Sequence, residues 1–130
     1  MKLQVLLNNL NVEKIIGNDN ININGLKYDS REVSKGDLFI CIQGFKTDGH
    51  KYIPEVINKK VSAVLIDKKL DNYSNKITYI KVKDSRKAMA QIAKNFYQDP
   101  LKDIDLIGVT GTNGKTTTTY LIKDILNKSG

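Results

Sequence analysis

Apolar and polar residues alternate in short blocks along the first hundred positions, and these blocks predict an α/β fold. Apolar runs bounded by polar residues predict strands at 37–42, 61–67 and 77–82. Between the first two runs, residues 52–60 have helical spacing, with Pro54 in the first turn, where its missing N–H has no intrahelical partner to lose. The order of elements is therefore strand, loop, helix, strand.

Two more segments carry periodic patterns. The apolar spacing in residues 2–17 predicts two short helical turns ending at Gly17, and Ile21-Asn-Ile23 predicts the start of a strand. Ser85 is predicted to cap a helix that stops near Asp99-Pro100. One face of that helix is apolar and carries Ala88, Met89, Ile92, Ala93 and Phe96.

A domain boundary is predicted at the end of that helix. Pro100 disfavours helical backbone at Asp99, and the residues that follow are few and polar. We therefore divide the chain into residues 1–99 and 100–130. One strand and one helix cannot bury both faces of a doubly wound sheet, so 100–130 is interpreted as the truncated start of a second domain.

The pattern of residues 107–117 predicts an apolar strand followed by a glycine-rich loop and the start of a helix. Gly111 and Gly114 allow backbone N–H groups to converge on a phosphate without interference from side chains. Lys115 can reach the β- and γ-phosphates, and Thr116 supplies a hydroxyl suited to Mg²⁺. The helix N-terminus adds partial positive charge. The segment is predicted to bind a nucleoside triphosphate.

This loop departs from the strict Walker pattern at one place. The pattern requires glycine where the chain has Val109, so the match is to a variant in which Gly108 and Gly111 stand on either side of that position. The alternative interpretation is a glycine-rich turn that only caps a helix. The order of strand, loop, Gly-Lys-Thr and amphipathic helix favours the nucleotide site.

Composition and charge exclude several function classes. The formal net charge is +7, but the lysines are scattered and lack interleaved aromatic residues, which argues against nucleic-acid binding. No apolar run is long enough for a membrane span, and we expect a cytoplasmic protein. Cys41 is predicted to be a buried, reduced thiol. The sequence has neither a second histidine nor a suitably spaced cysteine to join His50, so we expect His50 to order its loop rather than bind metal.

Four motifs together resemble the Mur ligases, the enzymes that add amino acids to UDP-N-acetylmuramic acid during peptidoglycan synthesis. They are Tyr28-Asp-Ser-Arg31, Gly36-Asp-Leu-Phe39, Asp48-Gly-His50 and the loop from Thr110 to Thr118. The resemblance covers nearly the whole chain. It points to the branch that adds the third amino acid, with the branch that acts next as the alternative. It implies a small mixed-sheet N-terminal domain for the UDP substrate, followed by the start of an ATP-binding domain.

The resemblance also implies residue roles in the first domain. Ser30 and the backbone near Tyr28 would contact the UDP moiety, and Phe45, Lys46 and Thr47 would lie along a substrate loop. By its own chemistry Arg31 is suited to a pyrophosphate, although a local salt bridge is an equally open role. The implied partners are UDP-N-acetylmuramoyl-L-alanyl-D-glutamate and ATP, bound by a monomer.

The implied reaction is ATP-dependent amide formation, in which the substrate carboxylate is activated as an acyl phosphate and the incoming amine displaces phosphate. Lys115 would be catalytic and Thr116 would help to hold Mg²⁺. The triphosphate would be bound by Gly111, Thr112, Asn113, Gly114, Lys115, Thr116 and Thr117. The added amino acid, diaminopimelate or L-lysine, stays open. We expect these 130 residues alone not to ligate, and a UDP-sugar-binding module with a vestigial phosphate loop remains the rival from another class.

Overall fold

Five strands form one sheet in the order β1-β5-β4-β3-β2 in the computed structural model, which describes residues 1–98. The strands are β1 (Val12–Ile16), β2 (Leu26–Lys27), β3 (Leu38–Ile40), β4 (Ala63–Ile66) and β5 (Thr78–Val82). β1 pairs with β5 antiparallel, and all other neighbours are parallel. The mixed sheet expected for the first domain is confirmed.

Three helices and two 3₁₀ turns complete this unit. They are α1 (Leu3–Leu6), α2 (Ile53–Asn58), α3 (Ser85–Phe96) and the turns Ser30–Glu32 and Gly49–Tyr52. Both longer helices lie where the sequence predicts them. The cap of α3 is one residue earlier than predicted, because the Asp84 side chain, not that of Ser85, accepts hydrogen bonds from the first backbone N–H groups.

The prediction for the N-terminal segment is only partly right. Residues 3–6 are helical, but Val12–Ile16 forms an edge strand, with Ile15 opposite Ile80. β-branched residues pack well on a pleated surface, and pairing with β5 outweighs the local helical spacing. The strand expected at Ile21–Ile23 is reduced to an isolated bridge between Asn22 and Lys2.

Both faces of the sheet are buried. One face packs under α1 and α3, where Leu38, Ile40, Leu65 and Ile80 of the strands share a cluster with Ile92 of α3. The opposite face packs against α2, where Phe39, Val64 and Tyr79 of the strands share a cluster with Cys41, just after β3, and Val56 of α2. Strands in a sheet that is covered on both sides are apolar along most of their length. This explains why the positions of the central strands could be predicted from the sequence.

The crossover between parallel strands β4 and β5 contains no helix in the described structure. Tyr73 in this crossover packs edge-to-face on Tyr79, with ring centroids 5.1 Å apart. The Tyr79 hydroxyl accepts a hydrogen bond from the Ser74 backbone N–H at 3.1 Å. Aromatic packing therefore covers the face that a crossover helix would usually cover.

The second predicted unit, residues 100–130, lies outside the described residues, and so does the whole phosphate loop. Residues Met1–Asp99 form one compact unit. The assignment of an ATP-binding domain after Pro100 stays a prediction.

Candidate functional site

A cleft of about 840 Å³ opens at the carboxyl ends of β2 and β3. In open sheets with parallel strands this edge is where ligands bind, because the loops that follow neighbouring strands meet there. The lining comes from both of these loops, the start of α2 and the first turns of α3. It consists of Tyr28, Asp29, Ser30, Arg31, Ile42, Gly44, Thr47, Gly49, Tyr52, Glu55, Arg86 and Met89.

The turn after β2 is fixed by its own ion pair. The Asp29 carboxylate accepts hydrogen bonds from the Arg31 backbone N–H at 3.0 Å and from the Arg31 Nη2 at 2.6 Å. The side-chain hydrogen bond from Arg31 lowers the pKa of Asp29 to about 2. The Arg31 side chain is 85% exposed. Of the two roles left open for Arg31, the local salt bridge is present in this structure.

Ser30 is the most buried residue of this turn, at 6% exposure. Its hydroxyl donates to Oε2 of Glu55 at 3.2 Å, and its carbonyl accepts from Nζ of Lys59 at 2.7 Å. Lys59 also pairs with Glu55 at 3.2 Å. Helix α2 thus holds the serine in place, while the lone pairs of its hydroxyl remain available to a donor on a ligand.

The loop after β3 closes on itself at both ends. The Gly44 N–H donates to the Thr47 carbonyl at 2.8 Å, and the Gly49 N–H donates to the Ile42 carbonyl at 2.9 Å. Thr47 lines the cleft, whereas Phe45 and Lys46 are exposed and do not line it. The structure therefore brings together four of the six predicted substrate residues, namely Tyr28, Ser30, Arg31 and Thr47.

A buried histidine anchors the far end of this loop. Nδ1 of His50 donates to the Asp48 carboxylate at 2.6 Å, and Nζ of Lys68 binds the other oxygen of Asp48. Nε2 of His50 lies 3.3 Å from Oδ1 of Asp67, outside hydrogen-bond geometry. This gives His50 the loop-ordering role expected from the sequence.

Two pKa values in this part of the structure are shifted, in opposite directions. Partial burial pushes the pKa of Asp48 upward, but the hydrogen bonds from Lys68 and His50 outweigh it and hold the pKa below its usual range. Burial raises the pKa of the Cys41 thiol, which is free and fully enclosed. The predicted buried thiol is confirmed, and its raised pKa disfavours a nucleophilic thiolate at this position.

Sequence reasoning missed four residues of the cleft, Tyr52, Glu55, Arg86 and Met89. One signal for Arg86 was present: the tripeptide Asp-Ser-Arg occurs at 29–31 and again at 84–86, each time one residue beyond the end of a strand. In both copies the aspartate accepts from the backbone N–H two residues later. The repeat places both arginines of the chain at the same edge of the sheet.

Within residues 1–98, no group of three or more histidine, cysteine, aspartate or glutamate side chains is arranged to hold a metal ion. In the same range, no helix has the length and apolar character needed to cross a bilayer.

Replacement of Asp48 by asparagine is expected to lower the free energy of unfolding at pH 7 by about 1–2 kcal/mol, because charge-assisted hydrogen bonds are lost. The folded-state pKa of Asp48 is depressed, so its contribution is complete above the unfolded pKa of about 4 and disappears as the pH falls below it. Urea unfolding measured from pH 7 downward would show the gap between Asp48→Asn and the parent chain shrinking below about pH 4.

The matched control for that series is Asp19→Asn, at an exposed position away from the cluster. A gap that stayed constant through the acid range would show that Asp48 does not stabilise the fold through its charge.

Comparison with known proteins identifies the fold. The Mur ligase family, catalytic domain, matches residues 22–97. The chain is similar to the ligase from Acinetobacter baumannii named UDP-N-acetylmuramoylalanyl-D-glutamyl-2,6-diaminopimelate–D-alanyl-D-alanyl ligase, with a TM-score of 0.61, 26% identity, and coverage of 82% of this chain and 23% of that one. MurF from Thermotoga maritima, solved in complex with ADP, has a TM-score of 0.57 and 28% identity, covering 79% and 23%.

Curated relatives are more similar in sequence. The UDP-N-acetylmuramoyl-L-alanyl-D-glutamate–2,6-diaminopimelate ligase of Clostridium tetani is 48% identical over 132 residues, which cover 100% of this chain and 27% of the relative. The ligase of the same name from Clostridioides difficile is 49% identical over 126 residues, covering 97% and 26%. The chain thus spans about a quarter of their length. With more than half of its residues matched by the family and relatives that align along its whole length, the chain belongs to the Mur ligase family.

Proposed function

We propose that the chain is the N-terminal part of a UDP-N-acetylmuramoyl-L-alanyl-D-glutamate–2,6-diaminopimelate ligase (MurE), and that its described unit binds the UDP end of the sugar-nucleotide substrate. The observation that carries this proposal is the cleft itself. It joins Tyr28, Ser30 and Arg31 to Thr47, from two loops that are separate in the sequence, at the carboxyl edge of the sheet.

The chemistry of the cleft suits a nucleotide. Its volume of about 840 Å³ lies in the range of small-molecule sites, which combine an apolar lining with a few fixed polar groups. Ile42 and Met89 supply apolar surface, while the buried Ser30 hydroxyl supplies a polar atom of fixed position. The flat faces of Tyr28 and Tyr52 at the rim are suited to a planar base.

Sequence identity favours one branch of the family over the other. The relatives named for 2,6-diaminopimelate are 41–50% identical to the chain, whereas the solved ligases of the following step are 24–28% identical. We therefore prefer the diaminopimelate-adding branch and diaminopimelate over lysine, with the MurF branch as the alternative.

We further propose that residues 111–117 bind ATP, which would activate the substrate carboxylate for amide formation. These residues lie outside the described structure, and the assignment depends on the groups that they offer to phosphate and to Mg²⁺. Backbone amides freed by Gly111 and Gly114 suit phosphate oxygens, and Lys115 supplies positive charge for the transferred phosphoryl group. Thr116 offers the type of oxygen ligand that Mg²⁺ prefers. Because the chain spans about a quarter of its relatives, we expect it to bind ligands without forming the amide.

Calorimetric titration of the chain with UDP-N-acetylmuramoyl-L-alanyl-D-glutamate tests the cleft. The chain is expected to bind this ligand, and Ser30→Ala is expected to weaken binding by about 3- to 10-fold, the value of one neutral hydrogen bond. Ser34→Ala is the matched control, since Ser34 is exposed and lies outside the cleft.

Absence of binding by the parent chain would refute the proposed function, whereas equal affinity of the Ser30 and Ser34 variants would remove Ser30 from the site. Titration with ATP tests the phosphate loop separately. Lys115→Ala should lose whatever ATP affinity the parent chain has.

A further inference from the structure

We propose that Arg86, in the first turn of α3, recognises the diphosphate group of the nucleotide in the cleft; this inference rests on the proposed function. Neither the family motifs nor the substrate-loop residues identified from the sequence include this arginine. Three observations support this inference: the guanidinium of Arg86 has donors free for a ligand, it lies at the cleft, and a hydrogen bond fixes its orientation.

Arg86 has more hydrogen-bond donors free for a ligand than Arg31, the other arginine of the chain. Both Nε and Nη2 of Arg31 bind the Asp29 carboxylate, so its charge is compensated and two of its donors are occupied. Arg86 makes one side-chain hydrogen bond, from Nη2 to the Gln43 carbonyl at 3.0 Å. Among residues 1–98 no carboxylate forms an ion pair with it.

The position of Arg86 joins two sides of the cleft. It follows β5 and reaches the carbonyl of Gln43, at the base of the loop after β3. Gly44 and Thr47 of that loop line the same cleft. An anionic group bound alongside these loop residues would therefore lie within the field of the guanidinium.

The hydrogen bond to Gln43 also preorganises the guanidinium. A guanidinium presents five N–H donors in a rigid planar fork, and the bond to one carbonyl fixes the orientation of the fork. Its remaining donors suit the paired oxygens of a phosphate, for which bidentate arginine contacts are shorter and stronger than neutral hydrogen bonds. A side chain held before the ligand arrives loses less conformational entropy on binding.

The test compares UDP with uridine, which differ only in the diphosphate. Affinities of both ligands for the 130-residue chain would be measured by protein-observed NMR titration. Arg86→Gln is expected to weaken UDP binding by about tenfold while changing uridine binding by less than about twofold. The reason is that the charged donor binds the diphosphate, which uridine lacks. Arg86→Lys should recover part of the UDP affinity, since it restores the charge without the fork.

The matched control is Lys76→Gln, which removes an equal charge at an exposed position outside the cleft. It is expected to change UDP affinity by less than about twofold, because an exposed charge outside the binding site is largely screened by solvent and salt. Thermal unfolding of each variant confirms that the fold is retained.

Two outcomes would overturn the inference and leave the proposed function intact. If Arg86→Gln weakened UDP and uridine by the same factor, Arg86 would serve only to tether the loop. If neither affinity changed, the residue would have no part in binding. Failure of the parent chain to bind UDP at all would instead refute the proposed function, and this inference with it.

Discussion

Truncation of Ile80 to alanine is expected to lower the free energy of unfolding by about 2–5 kcal/mol, the usual cost of a large-to-small change in a closely packed core. Ile80 is fully buried in β5, opposite Leu65 on one side and Ile15 on the other. It packs into the face covered by α1 and α3. A cavity there would remove contacts from both helices and from the edge strand at once.

Urea unfolding followed by circular dichroism measures this loss. Val5→Ala is the control, because Val5 on α1 is 48% exposed and should cost less than about 0.5 kcal/mol. If Ile80→Ala cost no more than the Val5 variant, β5 would not lie at the centre of a packed sheet.

Replacement of Gly49 by alanine is expected to cost about 1–3 kcal/mol, as overpacking does elsewhere, and to reduce UDP-substrate affinity as well. An added Cβ would lie 2.8 Å from the Ile42 nitrogen and 3.1 Å from the Ile42 oxygen. Both are backbone atoms and cannot rotate away. The hydrogen bond from Gly49 to Ile42 that closes the loop would be strained, and Thr47 would shift with it.

The free energy of unfolding and the affinity for the UDP substrate should be measured on the same Gly49→Ala sample. Gly44→Ala is the matched control in the same loop, where the added Cβ meets only the Thr47 carbonyl oxygen, at 3.2 Å. Equal behaviour of the two variants would show that the close approach of Gly49 to Ile42 does not hold the loop.

The predictable part of the fold is the part with continuous local signals. All four residues of β4 are apolar and buried, four of the five residues of β5 are buried, and α2 is marked by Pro54 in its first turn. The segment of β1 was predicted to be helical from its local apolar spacing, and its pairing with β5, more than sixty residues later in the chain, has no local signal. β2 is a two-residue strand and too short to have a period.

The candidate site shows the same limit. Ser30 and Thr47 were identified by motif, but only the parallel register of β2 and β3 brings their loops to one edge. Local spacing could not decide between the two roles of Arg31, since the choice depended on the rotamer that pairs it with Asp29. Arg86 was missed because its contact is with Gln43, far away in sequence. The phosphate loop stays a prediction.

The placement of the tyrosines gives this protein separate optical signals for occupancy and for folding. The chain has six tyrosines and no tryptophan, so its ultraviolet emission comes from tyrosine alone. Tyr28 and Tyr52 stand at the cleft, 69% and 38% exposed, while Tyr79 is enclosed against Tyr73. A bound base would alter the fluorescence of the first pair, and loss of the packed ring would alter the near-ultraviolet dichroism of the second. Ligand affinity and unfolding can therefore be followed in one unlabelled sample.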